Sequence, residues 1–429
     1  MSITKAMYAG VSGLTAEGET LGIVGENVAN TNTVGFKRSR AVFENILGGA
    51  IGSTDAAGGG VRLADAQQIF AQGAIVNTGQ ATDVALSGDG FLVVNGTVGG
   101  VTGEFYTRAG QLTIRNDGVV VTQGGLTVQG YQGRQDGTFD PSVGKIQLAT
   151  AQLPPKPTGA MSITANLDAS AATPAADWDL QNPGPGSNLS TSLTVYDSLG
   201  QPHPVDVYFR KTDVGTWDVH VLAKGSDIAG GTAGENVEIG VGQVTFDTSG
   251  ALSTVNWGTA PRASWTGATP DQALNLSFGE PLADGGTGLG GTTQFGSPSA
   301  ISAQSQDGYG SGDLQGVKIG PDGVVSGVYS NGQTVGVGKI AIAKFMSNEG
   351  LGRAGQNCWF ATRDSGEPAL GGPGEGGRAT LVAGSLEQSN VDIAEQFVDL
   401  IAHQRAFQAN SKTITTADQM LQELMQIKQ

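Results

Sequence analysis

The hydrophobic pattern changes its period twice along the chain. From Ile3 to about Val28, the apolar residues Met7, Val11, Leu14, Leu21 and Val28 recur near multiples of three to four, the spacing of one helix face. A second helical run covers Ser385 to Gln429, which holds neither Gly nor Pro. There Ile393, Phe397, Leu400, Ile401, Phe407, Ile414, Leu421, Leu424 and Met425 fall at helical spacings, and Ser389 with Asp392 supplies an N-cap signature. A helix of about 37 residues would reach roughly 55 Å, too long to curl onto a small domain. Between the ends the period drops to two. Asp83 to Gly96, Phe105 to Tyr131, Leu193 to Arg210, Val244 to Trp257 and Val317 to Phe345 show short apolar runs cut by Asp-Gly, Gly-Gly and similar turns. No strand–helix alternation occurs, so the middle is expected to be all-β.

The first helix carries Gly10, Gly13, Gly18, Gly22 and Gly25. Each costs about 1 kcal/mol relative to alanine, so the helix is weak alone, yet missing side chains let a neighbouring backbone approach. Prolines run only from Pro141 to Pro373, and every tryptophan except Trp359 lies between residues 150 and 300. The centre therefore reads as a compact insert, joined through "LPPKPTG" (Leu153 to Gly159) and "GTTQFGSPSA" (Gly291 to Ala300).

Composition narrows the function classes. With 39 acidic against 23 basic residues the formal charge is −16, which argues against a nucleic-acid binder. The 69 glycines follow no collagen-like period, and apolar content is ordinary, so the middle is turn-rich β structure rather than disorder. A single cysteine, Cys358, excludes an intrachain disulfide and reads as a buried small apolar residue. The N-terminus lacks the apolar core of a cleavable signal, and no stretch approaches the roughly 18 apolar residues of a membrane span. Composition alone thus points to the cytoplasm and to no membrane insertion.

Candidate chemistry is absent. "GQTVGVGKI" (Gly332 to Ile340) departs from a phosphate loop, because Gln333 and Ile340 occupy the Gly and Ser/Thr places and both flanks read as strands. "DGYGSGDLQG" (Asp307 to Gly316) has no following helix, and "GGPGEGG" (Gly371 to Gly377) does not match a calcium-binding repeat. His203, His220 and His403 have no second ligand at a metal spacing. Ser87 in "LSGDG" is not a nucleophile elbow. No catalytic, cofactor or metal residue is assigned, and an enzyme is not expected.

One segment remains. "ANTNTVGFKR" (Ala29 to Arg38) reads as a helix stop, with Asn30, Asn32 and the threonines bonding nearby backbone and Gly35 permitting a left-handed turn before Phe36. It also resembles the signature that ends the N-terminal helix of bacterial flagellar axial proteins, the rod, hook and hook-associated subunits. "DVALSGDGFLVV", "FYTRAGQLTIRNDGVVVTQGGLTVQGY", "SITANLDAS", "LTVYDSLGQPHPVDVYF" and the stretch from Leu386 to Leu424 are similar to further blocks of that family. Together they cover more than half the chain and both ends.

The resemblance implies a mainly β, discontinuous multi-domain protein with α-helical termini paired as a coiled-coil-like inner domain and two β-rich outer domains. The expected divisions are 1–40 (first helix), 41–82 (connector), 83–153 with 298–375 (middle β domain), 154–297 (outer β domain) and 376–429 (last helix). The substantial insert favours a hook subunit of a curved, flexible tube that passes torque from rod to filament. A distal rod subunit, or a secreted β-rich adhesin or enzyme, is the alternative. Implied partners are many copies of itself, the rod protein, hook cap, hook–filament junction protein and type III export apparatus. Export without a cleaved signal would place it outside the cell, overriding the cytoplasmic reading. The expected subunit-interface residues are Met7, Val11, Leu14, Leu21, Val28, Asn30, Asn32, Gly35, Phe36, Ile393, Phe397, Ile401, Phe407, Ile414, Leu421 and Leu424. Ordering each residue costs roughly 1–2 kcal/mol of backbone entropy, so both ends are expected to fold only when neighbours surround them.

Overall fold

A computed structural model describes residues 3–46, 59–134, 137–148 and 152–427. The chain divides into two units, one of Met1–Ala151, Gln315–Val328 and Thr334–Gln429, the other of Gln152–Leu314 and Tyr329–Gln333. Among the described residues only two α-helices occur, α1 (Ile3–Ala29) and α2 (Ile393–Ile427), at the two ends of a chain otherwise built of strands.

In the first unit α1 stops where its composition says it should. The Asn30 N–H and side-chain amide both donate to the Glu26 carbonyl, at 3.1 and 2.9 Å. The Thr31 hydroxyl donates to the Val28 carbonyl, and the Thr33 hydroxyl to Asn30 Oδ1 at 3.0 Å. Gly35 then takes φ +69°, and a Cβ there would lie 2.6 Å from the Arg108 carbonyl carbon. Only glycine fits both the backbone conformation and the space.

The next strands, Ser39–Asn45 and Val61–Gln68, form an antiparallel pair bulged between Val42 and Phe43. They occupy part of what reads as a connector, of which 47–58 lies outside the described residues. The unit's β body is discontinuous. Phe91–Val98 pairs with Val101–Thr107 and also with Ile342–Lys344, while Cys358–Phe360 adds to Val101–Thr107. Phe91, Val93, Tyr106, Phe345, Leu351 and Trp359 fill the core between these segments.

Two expectations for the C-terminal part are corrected. Residues 376–392 are not α-helical: Thr380–Ala383 pairs with Val84–Ser87, and Ser385–Glu387 pairs with Ile75–Asn77. Asp392, not Ser389, caps α2. Its Oδ1 accepts the N–H groups of Ala394 at 2.8 Å and Glu395 at 3.2 Å, the second and third helical positions.

Glu387 closes the unit electrostatically. Its Oε1 lies 2.6 Å from Lys37 Nζ and accepts the Gly73 N–H at 2.9 Å, and its Oε2 lies 3.3 Å from Arg108 Nη1. All three side chains are essentially inaccessible. Lys37 Nζ also donates to the Ala71 carbonyl at 2.8 Å, and Arg108 Nη2 to Gly88 at 2.8 Å. Burial lowers the Lys37 pKa from its ordinary range, Glu387 resists that shift, and Arg108 adds to it. The Glu387 carbonyl accepts the Gly35 N–H at 2.7 Å, so one residue grips the exit of α1 twice over.

The second unit holds a five-stranded antiparallel meander, Leu189–Tyr196, Pro202–Asp213, Thr216–Lys224, Asn236–Phe246 and Leu252–Thr259. A three-stranded sheet sets Ala160–Asn166 between Asn275–Ser277 and Ala300–Gln306. Alternating burial along Pro202–Asp213 places Val205, Val207 and Phe209 inside, with Trp217, Trp265 and Phe278. Ala300–Gln306, expected in the middle domain, belongs here because it pairs with Ala160–Asn166.

Three outcomes follow from these contacts. Glu387→Gln strands two buried cations and should lower the unfolding free energy by about 3–5 kcal/mol in denaturant titrations; a loss below about 1 kcal/mol would mean that the charges are solvated. Cys358 is buried and its thiol is pushed up to about 11 by desolvation, which outweighs the opposing bond with Thr107. A thiol reagent at neutral pH should therefore react only after unfolding.

The third outcome concerns acid. Burial raises the Asp197 carboxyl, but the Gln201 N–H, the His203 ring and the Leu199 N–H outweigh it, leaving its pKa below the ordinary 3.8. Asp307 behaves alike through the Ala160 N–H, Lys156 and the Gly159 N–H. A carboxyl with a depressed folded pKa contributes stability above its unfolded pKa and loses it as pH falls through the folded one. Melting of the second unit should shift down as pH drops from about 5 to about 2, and less so in Asp197→Asn.

Candidate assembly surface on the terminal helices

The two helices pack antiparallel along a seam of small and polar side chains. On α1 the covered positions are Gly10, Gly13, Ala16, Thr20, Val24 and Asn27, a three-to-four repeat that avoids every large apolar residue except Val24. Small size is required there. A Cβ on Gly13 would fall 2.7 Å from Asn410 Nδ2, and one on Gly10 would fall 3.0 Å from Ile414 Cγ1. Gly18, Gly22 and Gly25, by contrast, have nothing within 4 Å of such a Cβ. Their openness costs helix stability and returns nothing inside this chain.

Polar contacts set the register. Asn27 Nδ2 donates to Gln396 Oε1 at 2.8 Å and to the Ser39 carbonyl at 2.7 Å, while its Oδ1 accepts the Ser39 N–H at 2.9 Å. His403 Nδ1 lies 2.7 Å from Glu17 Oε2. Arg38 Nη1 reaches Glu395 Oε2 at 2.6 Å on the half-exposed rim. Such a seam specifies alignment more than it contributes affinity, since each net hydrogen bond is worth about 1 kcal/mol.

The large apolar side chains lie elsewhere. Ile393, Phe397 and Ile401 recur every four residues along α2 and are each about half exposed. Val398 and Met425 are 67% and 70% exposed, and Tyr8 on α1 is 73% exposed.

Among the expected interface residues, Val11 and Phe407 are also exposed, as is Asn32; Met7, Leu14, Leu21, Val28, Asn30, Ile414 and Leu421 are half-buried. Gly35 and Phe36 are buried within the chain at the α1 exit and present no outer surface. The side chain of Leu424 lies outside the described residues. Tyr8 and Val398 were not marked by the spacing rule, because each sits beside a residue that satisfies it. Their bulk, an aromatic ring on Tyr8 and a branched aliphatic chain on Val398, is the available signal.

A cavity of about 470 Å³ adjoins the helix stop and is lined by Glu26, Asn30, Gln111, Gln356, Asn357 and Cys358, among others. Arg353 and Glu26 form an ion pair on its wall. Its amide-rich lining pairs no nucleophile with a base. Among the described residues no group of three His, Cys, Asp or Glu could hold a metal ion, and no helix is long and apolar enough to cross a membrane.

Comparison with known proteins converges on one family. Residues 7–37 match the flagella basal body rod protein family, and 85–168 match the flagellar hook protein FlgE/F/G D1 domain. Residues 166–309 match the flagellar basal body protein FlaE D2 domain, and 382–427 the flagellar basal body rod FlgEFG C-terminal family. The chain is 34% identical to the flagellar hook protein FlgE of Escherichia coli, over 97% of this chain and 98% of that one. It is 33% identical to that of Treponema pallidum over 99% of both, and 33% to that of Salmonella typhimurium over the whole of both. The crystal structure of Helicobacter pylori flagellar hook protein FlgE2 shares the fold with a TM-score of 0.53 at 16% identity, covering 73% of this chain and 100% of that chain. With both helical ends, the β middle and relatives matched along nearly their full length, the chain belongs to the flagellar hook protein FlgE family.

Proposed function

We infer that this chain is the repeating structural subunit of a flagellar hook and that its terminal helices are the polymerisation surface. The observation that carries the reading is the division of labour on those helices: small and polar groups meet inside the chain, while Phe397, Ile401, Val398, Met425 and Tyr8 face outward. Fully burying one such side chain is worth roughly 1.5–3 kcal/mol, and a lone subunit leaves most of that unrealised. Neighbouring copies supply the missing cover, and their backbones can approach α1 closely at Gly18, Gly22 and Gly25.

Folding of the ends is then coupled to assembly. In the dilute chain the polar seam alone does not outweigh the roughly 1–2 kcal/mol per residue of ordering, and both ends stay loose and threadable. That property suits export in unfolded form through the flagellar type III apparatus without a cleaved signal. Growth would begin on the rod protein beneath a hook cap and finish against a hook–filament junction protein. The assembled tube is a curved joint that passes torque, its helical interior holding firm while the β-rich outer parts shift over weakly bonded neighbours. A rod subunit shares both helical ends, but the matched 166–309 insert and the full-length relatives favour the hook. Nothing in the cavity chemistry favours an adhesin or enzyme.

The decisive experiment is assembly of purified protein with its apolar helix face removed. Phe397→Ser with Ile401→Ser should leave the β core folded by circular dichroism and reduce pelletable polymer at least about tenfold, the loss expected when two buried anchors are removed. Removing 1–30 or 390–429 should abolish polymer altogether. Normal tubes from either variant would overturn the assignment.

A further inference from the structure

We propose that His203 is a pH-operated latch in the second unit. As the imidazolium it bridges Asp197 and Asp227 and fastens the loop 225–235; as the neutral imidazole it lets that loop go. His203 Nε2 lies 3.3 Å from Asp197 Oδ2, and Nδ1 lies 3.4 Å from Asp227 Oδ2. The ring lies flat on Trp265, with centroids 4.1 Å apart and planes 5° from parallel. Its side chain is only 12% exposed, so water does little for either nitrogen. The two acids meet opposite nitrogens and do not converge with the ring on one point, and no metal site arises among the described residues.

Only the charged ring suits both neighbours. A neutral imidazole carries one N–H and one lone pair. With the N–H on Asp197 the lone pair faces the Asp227 carboxylate, and the other tautomer reverses the conflict. Asp197 is the acid that stays. It is 1% exposed, and its Oδ1 accepts the Leu199 N–H at 2.8 Å and the Gln201 N–H at 2.9 Å. Asp227 is 25% exposed and free to turn its carboxylate to solvent. The other elements around the ring do not compete. Its cross-strand neighbour is Val195, and Arg262 and Asp271, on the segment that carries Trp265, pair with each other. Lys224 and Glu235, at the two ends of the loop, are exposed.

The loop is the part that responds. Residues 229–235 are all exposed, and Gly225, Gly230, Gly231 and Gly234 give it little conformational preference of its own. Two bonds tie it to the Trp265 segment: the Ala229 N–H donates to the Ser264 carbonyl at 2.8 Å, and the Thr266 N–H to the Asp227 carbonyl at 2.9 Å. The residue that holds Thr266 through its backbone is thus the one that His203 holds through its side chain. Releasing the carboxylate loosens that tie and opens the loop locally, while the core around Trp217 and Phe209 stays closed. Protonation favours the closed loop, so closure holds while the ring is charged and both acids are ionised. It is lost as pH rises through the range where imidazoles titrate, about 6 to 7. Every group lies in one unit of one chain, so the latch stands apart from the polymer reading.

Hydrogen exchange on the full chain, read by mass spectrometry at pH 5.5 and pH 8 and corrected for the intrinsic pH dependence of exchange, tests the latch. Peptides spanning 224–236 and 262–270 should be about fivefold better protected at the lower pH, the factor of a partly exposed ion pair. The difference should vanish in His203→Gln and in Asp227→Asn, whose amide suits both forms of the ring and leaves its stack on Trp265 in place. Equal protection of the wild-type loop at both pH values would overturn the proposal, and so would a pH dependence that survives in Asp227→Asn. Tryptophan emission gives a second readout, because an imidazolium stacked on an indole quenches it. His220→Gln serves as the background, since His220 stacks on Trp178 in the same unit. Emission in that background should fall as pH drops from 8 to 5.5 and lose the step when His203→Gln is added; no step in the background would mean that the ring gains no proton there, which also sinks the latch.

Discussion

The carboxylate of Glu387 is the constraint on which the first unit depends. It is held, out of water, between Lys37 and Arg108. Desolvating charges costs several kcal/mol per ion, and the pairing offsets that only when geometry and further hydrogen bonds are good. Here the Ala71 and Gly88 carbonyls each take one proton of the cations and the Gly73 N–H meets the acid, although the buried Arg108 Nε has no partner. Such a cluster contributes more to alignment than to net stability, since a shift of register would part the acid from its two cations. It fixes where the chain leaves α1 and where it enters α2. The Gly35 contact tightens the same point, and the backbone of Ser385–Glu387 is locked to Ile75–Asn77 beside it.

Once the two exits are fixed, the helices need only a thin seam to align. Gly13 against Asn410, Glu17 against His403 and Asn27 against Gln396 do that along their length. Spending polar and small residues on the intramolecular face leaves the bulky ones for the outside. A helix pair with the opposite arrangement would be stable alone and would have little to gain from neighbours. On the proposed reading, stability withheld from the monomer is what would make association favourable in the polymer.

Much of this was legible in the residues. The 3.6-residue period located both helices, the Asn and Thr run with Gly35 located the stop of α1, and turn chemistry located the hairpins of the middle. What periodicity left unread was the inner face. An apolar period does not register Gly10, Gly13, Ala16 and Thr20, the small and polar residues from which the α1 side of the seam is built. The Glu387 cluster was invisible because Lys37 and Glu387 are 350 positions apart, and an ordinary Lys or Glu in a sequence reads as solvent-facing. Short strands such as Ser385–Glu387 carry too few residues to show a period, so they were absorbed into the helix that follows. Asp392 lost the cap to Ser389 on paper because both residue types cap well, and only the start of the helix decides between them.

The two units embody opposite solutions to marginal stability. The second closes a complete core around Trp217, Phe209 and Trp265, with carboxylates such as Asp197 and Asp247 consumed in its own turns. Its fold is settled within the chain. The first unit's helices leave large side chains uncovered and reserve glycines with no internal neighbour. In the polymer proposed above, strong and cooperative contacts would concentrate where folding itself is at stake, on the terminal helices. Contacts between units already folded within their own chains could then break and remake on bending without placing any subunit's fold at risk, which a tube joined by equal contacts throughout could not do.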